Sequence, residues 1–218
     1  MREYDALKDY PQSERIVGNR AIENRILASY RGKEFFDGHR DNGYGGMKYD
    51  GRWAAVAQHM CDEYSLIEND TILQINCEKG FLLAEFAKLG MKTFGVETSS
   101  YARRHAHPQI KEFVKSSWSH ETPVDFLIAI GTVYMLNLSD AMQCIRHIEE
   151  SSFDSFITLA AYNNEEDLRL LKKWSLLAST ILRKDEWVEV LEHCCYTGDY
   201  SFVTAESLKL CEAPVVAF

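Results

Sequence analysis

Between residues 71 and 98 the chain reads TILQINCEKGFLLAEFAKLGMKTFGVET, and the period of its apolar positions changes twice. Ile72, Leu73 and Ile75 form a short apolar run that stops at Asn76, the pattern of a buried strand ending in a turn. Gly80 then opens a helix in which Leu82, Leu83, Phe86, Ala87 and Leu89 recur at helical spacing. Gly90 stops it, and residues 92–97 return to strand composition. The segment predicts a βαβ unit, whose crossover leaves a crevice beyond the carboxyl ends of its two strands. Glu97 ends the second strand. A carboxylate there accepts both hydroxyls of a ribose, which points to an adenosine-containing ligand. The plainer reading is a unit that only builds the sheet, with Glu97 a solvated charge.

Around this unit the pattern alternates helix and strand. Ser13 is placed to cap a helix carrying Ile16, Val17, Ile22, Ile26 and Leu27 roughly on one face. Such a helix covers the crevice, a sheet edge or a second subunit, the last of which leaves a homodimer open. Trp53, Val56, Ala57, Met60, Cys61 and Tyr64 mark a helix leading into the first strand. After Glu97 come a helix over 99–106, a short strand at 113–114, a central strand over 124–130 ending at Gly131, and a helix over 140–149. Residues 155–160 give a fifth strand, 165–181 a long helix and 185–191 a short one, and 200–204 pairs with the tail 214–218 as a closing antiparallel hairpin.

The segment 32–53, GKEFFDGHRDNGYGGMKYDGRW, interrupts this rhythm. It holds six of the chain's 12 glycines, interleaved with aromatic and charged residues. Glycines permit sharp turns and motion, whereas the aromatics and charges exceed what a linker needs, so the segment predicts an active-site lid. Within it Tyr44, Tyr49 and Trp53 are expected to exclude water and line the acceptor, and His39 and then Asp50 are the candidate general bases.

Composition narrows the partner. The 218 residues suit one domain, 1–53 being the N-terminal helix and lid and 54–218 the core. The net charge of -9 opposes general adhesion to nucleic acid or anionic membranes without excluding a local basic patch. A small-molecule partner is expected. Six cysteines without a CxxC pair, and a start without an apolar signal core, read as a cytoplasmic protein. No metal is expected, because His105 and His107 have no spaced Cys or carboxylate partner. Only Gly80 remains of a GxGxxG pattern, which argues against a nicotinamide cofactor.

The quoted runs together resemble the class I S-adenosylmethionine-dependent methyltransferase superfamily, small-molecule or sugar type. Leu73-Gln-Ile-Asn-Cys-Glu-Lys-Gly80 resembles its first motif, LDIGCGxG; Phe94-Gly-Val-Glu97 resembles the second; residues 125–136 resemble the fourth strand and following turn. The resemblance implies an α/β, Rossmann-like sheet in the order 3-2-1-4-5-7-6, with strand 7 antiparallel and helices on both faces. It also implies methyl transfer from S-adenosylmethionine, with S-adenosylhomocysteine as product, to a hydroxyl or carboxyl of a sugar or related metabolite. Cofactor contacts then fall to Gln74, Asn76, Cys77, Gly80, Glu97, Thr98, Ser117, Trp118 and Gly131, with Arg52 or Lys48 reaching the cofactor's carboxylate. Tyr134 and Tyr162, just beyond strands 4 and 5, would line the acceptor side. Four positions depart from the family pattern, one of them Ser117, which stands where the family often has an Asp for the adenine amino group and carries no charge. Gln74 replaces the motif acid, while Asn76 and Glu78 replace glycines, and Glu78 brings negative charge near the methionine carboxylate. The departures raise the alternative of a non-catalytic binding or assembly protein that has lost cofactor.

Overall fold

The computed structural model describes residues 1–18, 20–118 and 123–212. Its centre is a parallel sheet: β3 (Thr71–Ile75), β4 (Lys92–Val96), β5 (Val114–Lys115), β6 (Val124–Ala129), β7 (Ser152–Tyr162) and β9 (Asp199–Val203). A short β1 (Arg2–Glu3) forms one edge, giving the order β1-β9-β7-β6-β3-β4-β5, and β8 (Leu182–Arg183) pairs beside the end of β7. The expected order 3-2-1-4-5 is present as β5-β4-β3-β6-β7. Beyond it the sheet departs from expectation, because β9 pairs parallel with β7, and β1 parallel with β9. The reason is the crossover: β7 reaches β9 through a helix, the parallel β8 and a second helix, so the chain returns in the same direction, whereas an antiparallel neighbour follows from a tight hairpin. Residues 214–218, the expected hairpin partner, lie outside the described residues.

Strand period sorts the core into two layers. Ile72, Phe126, Ile128 and Phe156 face α3 (Ala54–Glu63) and α4 (Phe81–Lys88). Leu73, Leu127, Ala129, Ile157 and Leu159 face α6 (Leu138–Ser151) and α8 (Lys184–His193), where the buried Trp187 donates its Nε1–H to the carbonyl of Ala160 at 2.8 Å. Successive residues of a strand point to opposite faces, so continuous apolar runs fill both layers. Gly95 shows how closely β4 approaches its helix: a Cβ there would stand 2.6 Å from Cys77 Sγ and 3.0 Å from Leu83 Cδ1. Gly95→Ala is therefore expected to overpack this layer and cost about 1–3 kcal/mol, read as a lowered urea midpoint.

The N-terminal region corrects the sequence reading. Ile16 and Val17 belong to β2 (Arg15–Val17), which pairs parallel with β10 (Leu210–Glu212), and the helix α1 starts only at Ile22 and runs to Ser29. β-branched neighbours followed by Gly18 favour the extended form over a helix start at Ser13. α2 (Lys33–Asp37) follows, and its buried Phe35 and Phe36 join Ala28, Ala102, Met47, Tyr101, Leu176 and Leu177 in a third cluster. Ala102 lies on α5 (Ser100–Arg104), capped by Ser99. α7 (Glu165–Trp174) stops short of the predicted 181. The chain after it is pinned elsewhere, with Ser179 and Thr180 donating their N–H groups to the carbonyl of Tyr134. Among the described residues no helix is long and apolar enough to cross a membrane.

Candidate functional site: the crevice at the ends of β3, β4 and β6

The turn after β3 follows a left-handed path, with φ of 55° at Asn76, 57° at Glu78 and 69° at Gly80. Asparagine tolerates this region, while a glutamate there costs on the order of 1–2 kcal/mol. The two substituted glycine positions have kept glycine's backbone. Asn76 also ties this turn to the next one, its Nδ2 donating to the carbonyl of Gly131 at 3.3 Å. Gly131 has φ of 63°, and its N–H donates to Thr158 Oγ1 at 2.8 Å.

Glu97, at the end of β4, is fully buried. Its Oε1 accepts the Ser99 N–H at 2.7 Å, and its Oε2 accepts the Glu78 N–H at 2.9 Å and Arg31 Nη2 at 2.9 Å. Arg31 sits between α1 and α2 at φ of 45°, and its guanidinium lies 5.5 Å from the Phe35 ring centroid and 5.6 Å from that of Phe36. Its Nε is buried without a partner among the described residues, as is Oε1 of Gln74.

Beside this pair stands Glu78, hydrogen-bonded by the hydroxyl of Tyr44. Burial pushes its carboxyl up to about 7, and Glu97 adds to the rise, while Tyr44, Arg31 and Lys79 pull the other way. Burial and the neighbouring Glu78 push the Tyr44 phenol up as well, and carry that of Tyr134 to about 12. The next residue, Lys79, buries its ammonium against Asp37 at 2.7 Å and the carbonyl of Met47 at 2.8 Å, and Tyr101 donates to the same carboxylate at 2.7 Å. The first half of the lid segment is thus fastened to the crevice turn by Asp37–Lys79 and Tyr44–Glu78.

The second half of the segment goes elsewhere. Tyr49 bonds Glu85 and Lys88 on α4 and packs against His107 and Phe81, with ring centroids at 4.6 and 5.6 Å. Trp53 packs on Tyr10 at 4.4 Å, and Arg52 pairs with Asp50 and reaches the Tyr10 hydroxyl at 3.4 Å. Arg52, Asp50, Tyr49 and Trp53 are therefore drawn to α4 and the N-terminal segment, and Lys48 is exposed. His39, its side chain 76% exposed, pairs with Asp41 at 3.2 Å. The structure brings together Asn76, Cys77, Glu78, Gly80, Glu97 and Gly131, with Tyr44 and Tyr134 beside them. Thr98 and Ser117 are exposed, Trp118 packs on Phe94 at 5.0 Å, and Tyr162 ends β7 opposite Arg183. The sequence reading missed Arg31, which lies outside any motif or period and gives no signal of its own.

No family model matches this sequence, and no curated protein matches it. Solved structures match its fold. Magnesium protoporphyrin IX methyltransferase from Synechocystis PCC 6803, with bound S-adenosylmethionine, aligns at a TM-score of 0.54 and 14% identity over 81% of this chain and 88% of its own. The YcgJ protein from Bacillus subtilis aligns at 0.51 and 13% identity over 63% of this chain and 66% of its own. An S-adenosylmethionine-dependent methyltransferase from Clostridium acetobutylicum ATCC 824 aligns at 0.41 and 14% identity, covering 62% of this chain and 55% of its own. The chain spans 55%, 47% and 57% of the first three structures matched. At these identities the likeness establishes architecture: the chain has the class I S-adenosylmethionine-dependent methyltransferase fold.

Proposed function

We propose that this chain transfers a methyl group from S-adenosylmethionine to a small-molecule acceptor, at a hydroxyl or carboxyl of a sugar or related metabolite. The observation that carries the reading is Glu97, buried at the end of β4 and oriented by the backbone N–H groups of Glu78 and Ser99 beside a left-handed turn. A carboxylate offers about four acceptor sites, and a ribose diol needs two of them. With three taken in this structure, the residues accommodate the cofactor when Arg31 yields its bond, and the partnerless Nε shows that its guanidinium is not fully committed.

When bound, the cofactor supplies a methyl group already activated on a sulfonium, so the chain's own work is alignment and exclusion of water. Gln74, Asn76, Cys77, Gly80 and Gly131 cradle the cofactor, with Thr98, Ser117 and Trp118 on its adenine side. Tyr44, Tyr134 and Tyr162 wall the acceptor side. His39 and Asp50, held in surface pairs, are set aside as bases.

Calorimetric titration with S-adenosylhomocysteine tests this. Binding heat is expected, and Glu97→Gln should weaken it by about tenfold, the loss of a hydrogen bond to a charged group. A second reading, a binding or assembly module without cofactor, is favoured by Arg31 on Glu97 and Tyr44 on Glu78, which fill the crevice with the chain's own groups. Absence of heat and of any thermal shift at millimolar ligand selects it.

A further inference from the structure

Away from the crevice, Gly18, Arg20, Ala21 and Arg25 lie against the C-terminal half of α7 and leave an open groove of about 490 Å³. Its ionisable lining is cationic throughout: Arg20, Arg25, Arg169, Lys172 and Lys173. In a chain of net charge -9 this concentration is unusual. Part of it is neutralised, since Arg169 pairs with Glu166 and Glu212, and Lys173 with Glu212. The other three cations form no ion pair among the described residues. Arg20 and Arg25 instead donate to the carbonyls of Trp174 and Lys172, the last turn of α7, and the exposed Lys172 ammonium has no partner among the described residues.

We propose that this groove binds a phosphate-bearing small molecule of about nucleoside-diphosphate size. Each guanidinium has five N–H donors, so the carbonyl bonds fix Arg20 and Arg25 in place while leaving donors free for the bidentate geometry that phosphate oxygens accept. Immobilising them beforehand lowers the entropic cost of binding. Burial, reinforced by Arg40, holds the Arg20 guanidinium below its ordinary range despite the opposing influence of Asp41, as expected of a cation short of a counter-charge. Arg25, Lys172 and Arg20, the last only partly offset by Asp41, call for a compact group carrying at least two negative charges, which a single carboxylate does not supply. The volume falls within the roughly 300–1,000 Å³ of small-ligand sites. An extended nucleic acid is disfavoured, because the rest of the surface carries the chain's excess of acid.

The test is calorimetry on the full chain with inorganic pyrophosphate and with ADP, at low and moderate salt. Pyrophosphate has no ribose for Glu97, so its binding reads the groove separately from the crevice and does not depend on the cofactor reading. Pyrophosphate should bind at one site; ADP should bind that site at least as tightly, any further ADP site lost in Glu97→Gln being the crevice, and both should weaken as salt rises. Arg25→Glu combined with Lys172→Glu should weaken both by about tenfold or more. Lys172→Gln alone, at an exposed side chain without partners among the described residues, should weaken them severalfold with the thermal midpoint unchanged. No pyrophosphate heat at about 10 mM, equal affinity in the charge-reversed variant, or ADP binding more weakly than pyrophosphate would each overturn the proposal.

Discussion

Replacing Glu97 by alanine is expected to lower the stability of the ligand-free protein by about 3–5 kcal/mol. The carboxylate is fully buried and the Arg31 side chain only 14% exposed, so removing either partner leaves the other charge largely dry and unpaired. Glu97→Ala also strips acceptors from the N–H groups of Glu78 and Ser99. Arg31→Ala should cost a similar amount, whereas Arg31→Met together with Glu97→Leu should recover much of the loss, because an apolar pair replaces a buried ion pair without a stranded charge. Urea denaturation of Glu97→Ala, Arg31→Ala and their combination closes the cycle, with the Met/Leu pair read separately. Single variants within about 1 kcal/mol of the parent, or costs that simply add, would show that Arg31 and Glu97 do not act as a pair.

The second large effect is a pH dependence set by Glu78. Its carboxyl is pushed from 4.5 to about 7 in the fold, so over that window the unfolded chain has released a proton that the folded chain still holds. The unfolded state binds fewer protons, and the Glu78 contribution to stability falls as pH rises from about 4.5 to 7, then levels off. At 1.36 kcal/mol per pH unit the change is on the order of 3 kcal/mol, an upper value because Glu78 is partly exposed to solvent. Glu78→Gln removes the titration, so the stability difference between variant and parent should grow in the variant's favour across this window. The same proton bears on an anionic ligand tail. Affinity for S-adenosylhomocysteine should drop as pH passes through about 7 in the parent and stay flat in Glu78→Gln. A parent whose stability curve parallels that of the variant from pH 5 to 8 would remove Glu78 from the account.

The βαβ unit, the five central strands and the positions of Asn76, Gly80, Glu97 and Gly131 were legible because they rest on local period and turn chemistry. Glu97 was legible as an acid at a strand end, and its burial followed from where that strand sits. Its partner was not. Arg31 meets Glu97 across 66 positions of sequence, through a contact that neither helix period nor motif encodes. The contacts of the segment 32–53 were half legible for the same reason: its glycines and aromatics marked it as built for contact, but which face each aromatic meets depends on α4, which drew Tyr49 away by way of Glu85 and Lys88. Ile16 and Val17 were misassigned because a three-residue strand leaves too few positions to separate period two from period three and six tenths. α7 ends early because its last carbonyls are met by Arg20 and Arg25, and Ala178 donates its N–H to Ser175 Oγ rather than continuing the helix.

The edge strand β1 bears on how the molecule is made. Arg2 clasps Asp199 with its guanidinium, and the two stand 197 positions apart. Residues 2–3 leave the ribosome before every strand they must join, and the parallel ladder to β9 cannot form until the crossover through α8 has been synthesised. Until then β9's docking place on β7 is a bare edge of the kind that recruits foreign strands. Completion of this sheet is a late, long-range event, so the interval between synthesis of β7 and of β9 is when the nascent chain is most exposed to misassembly.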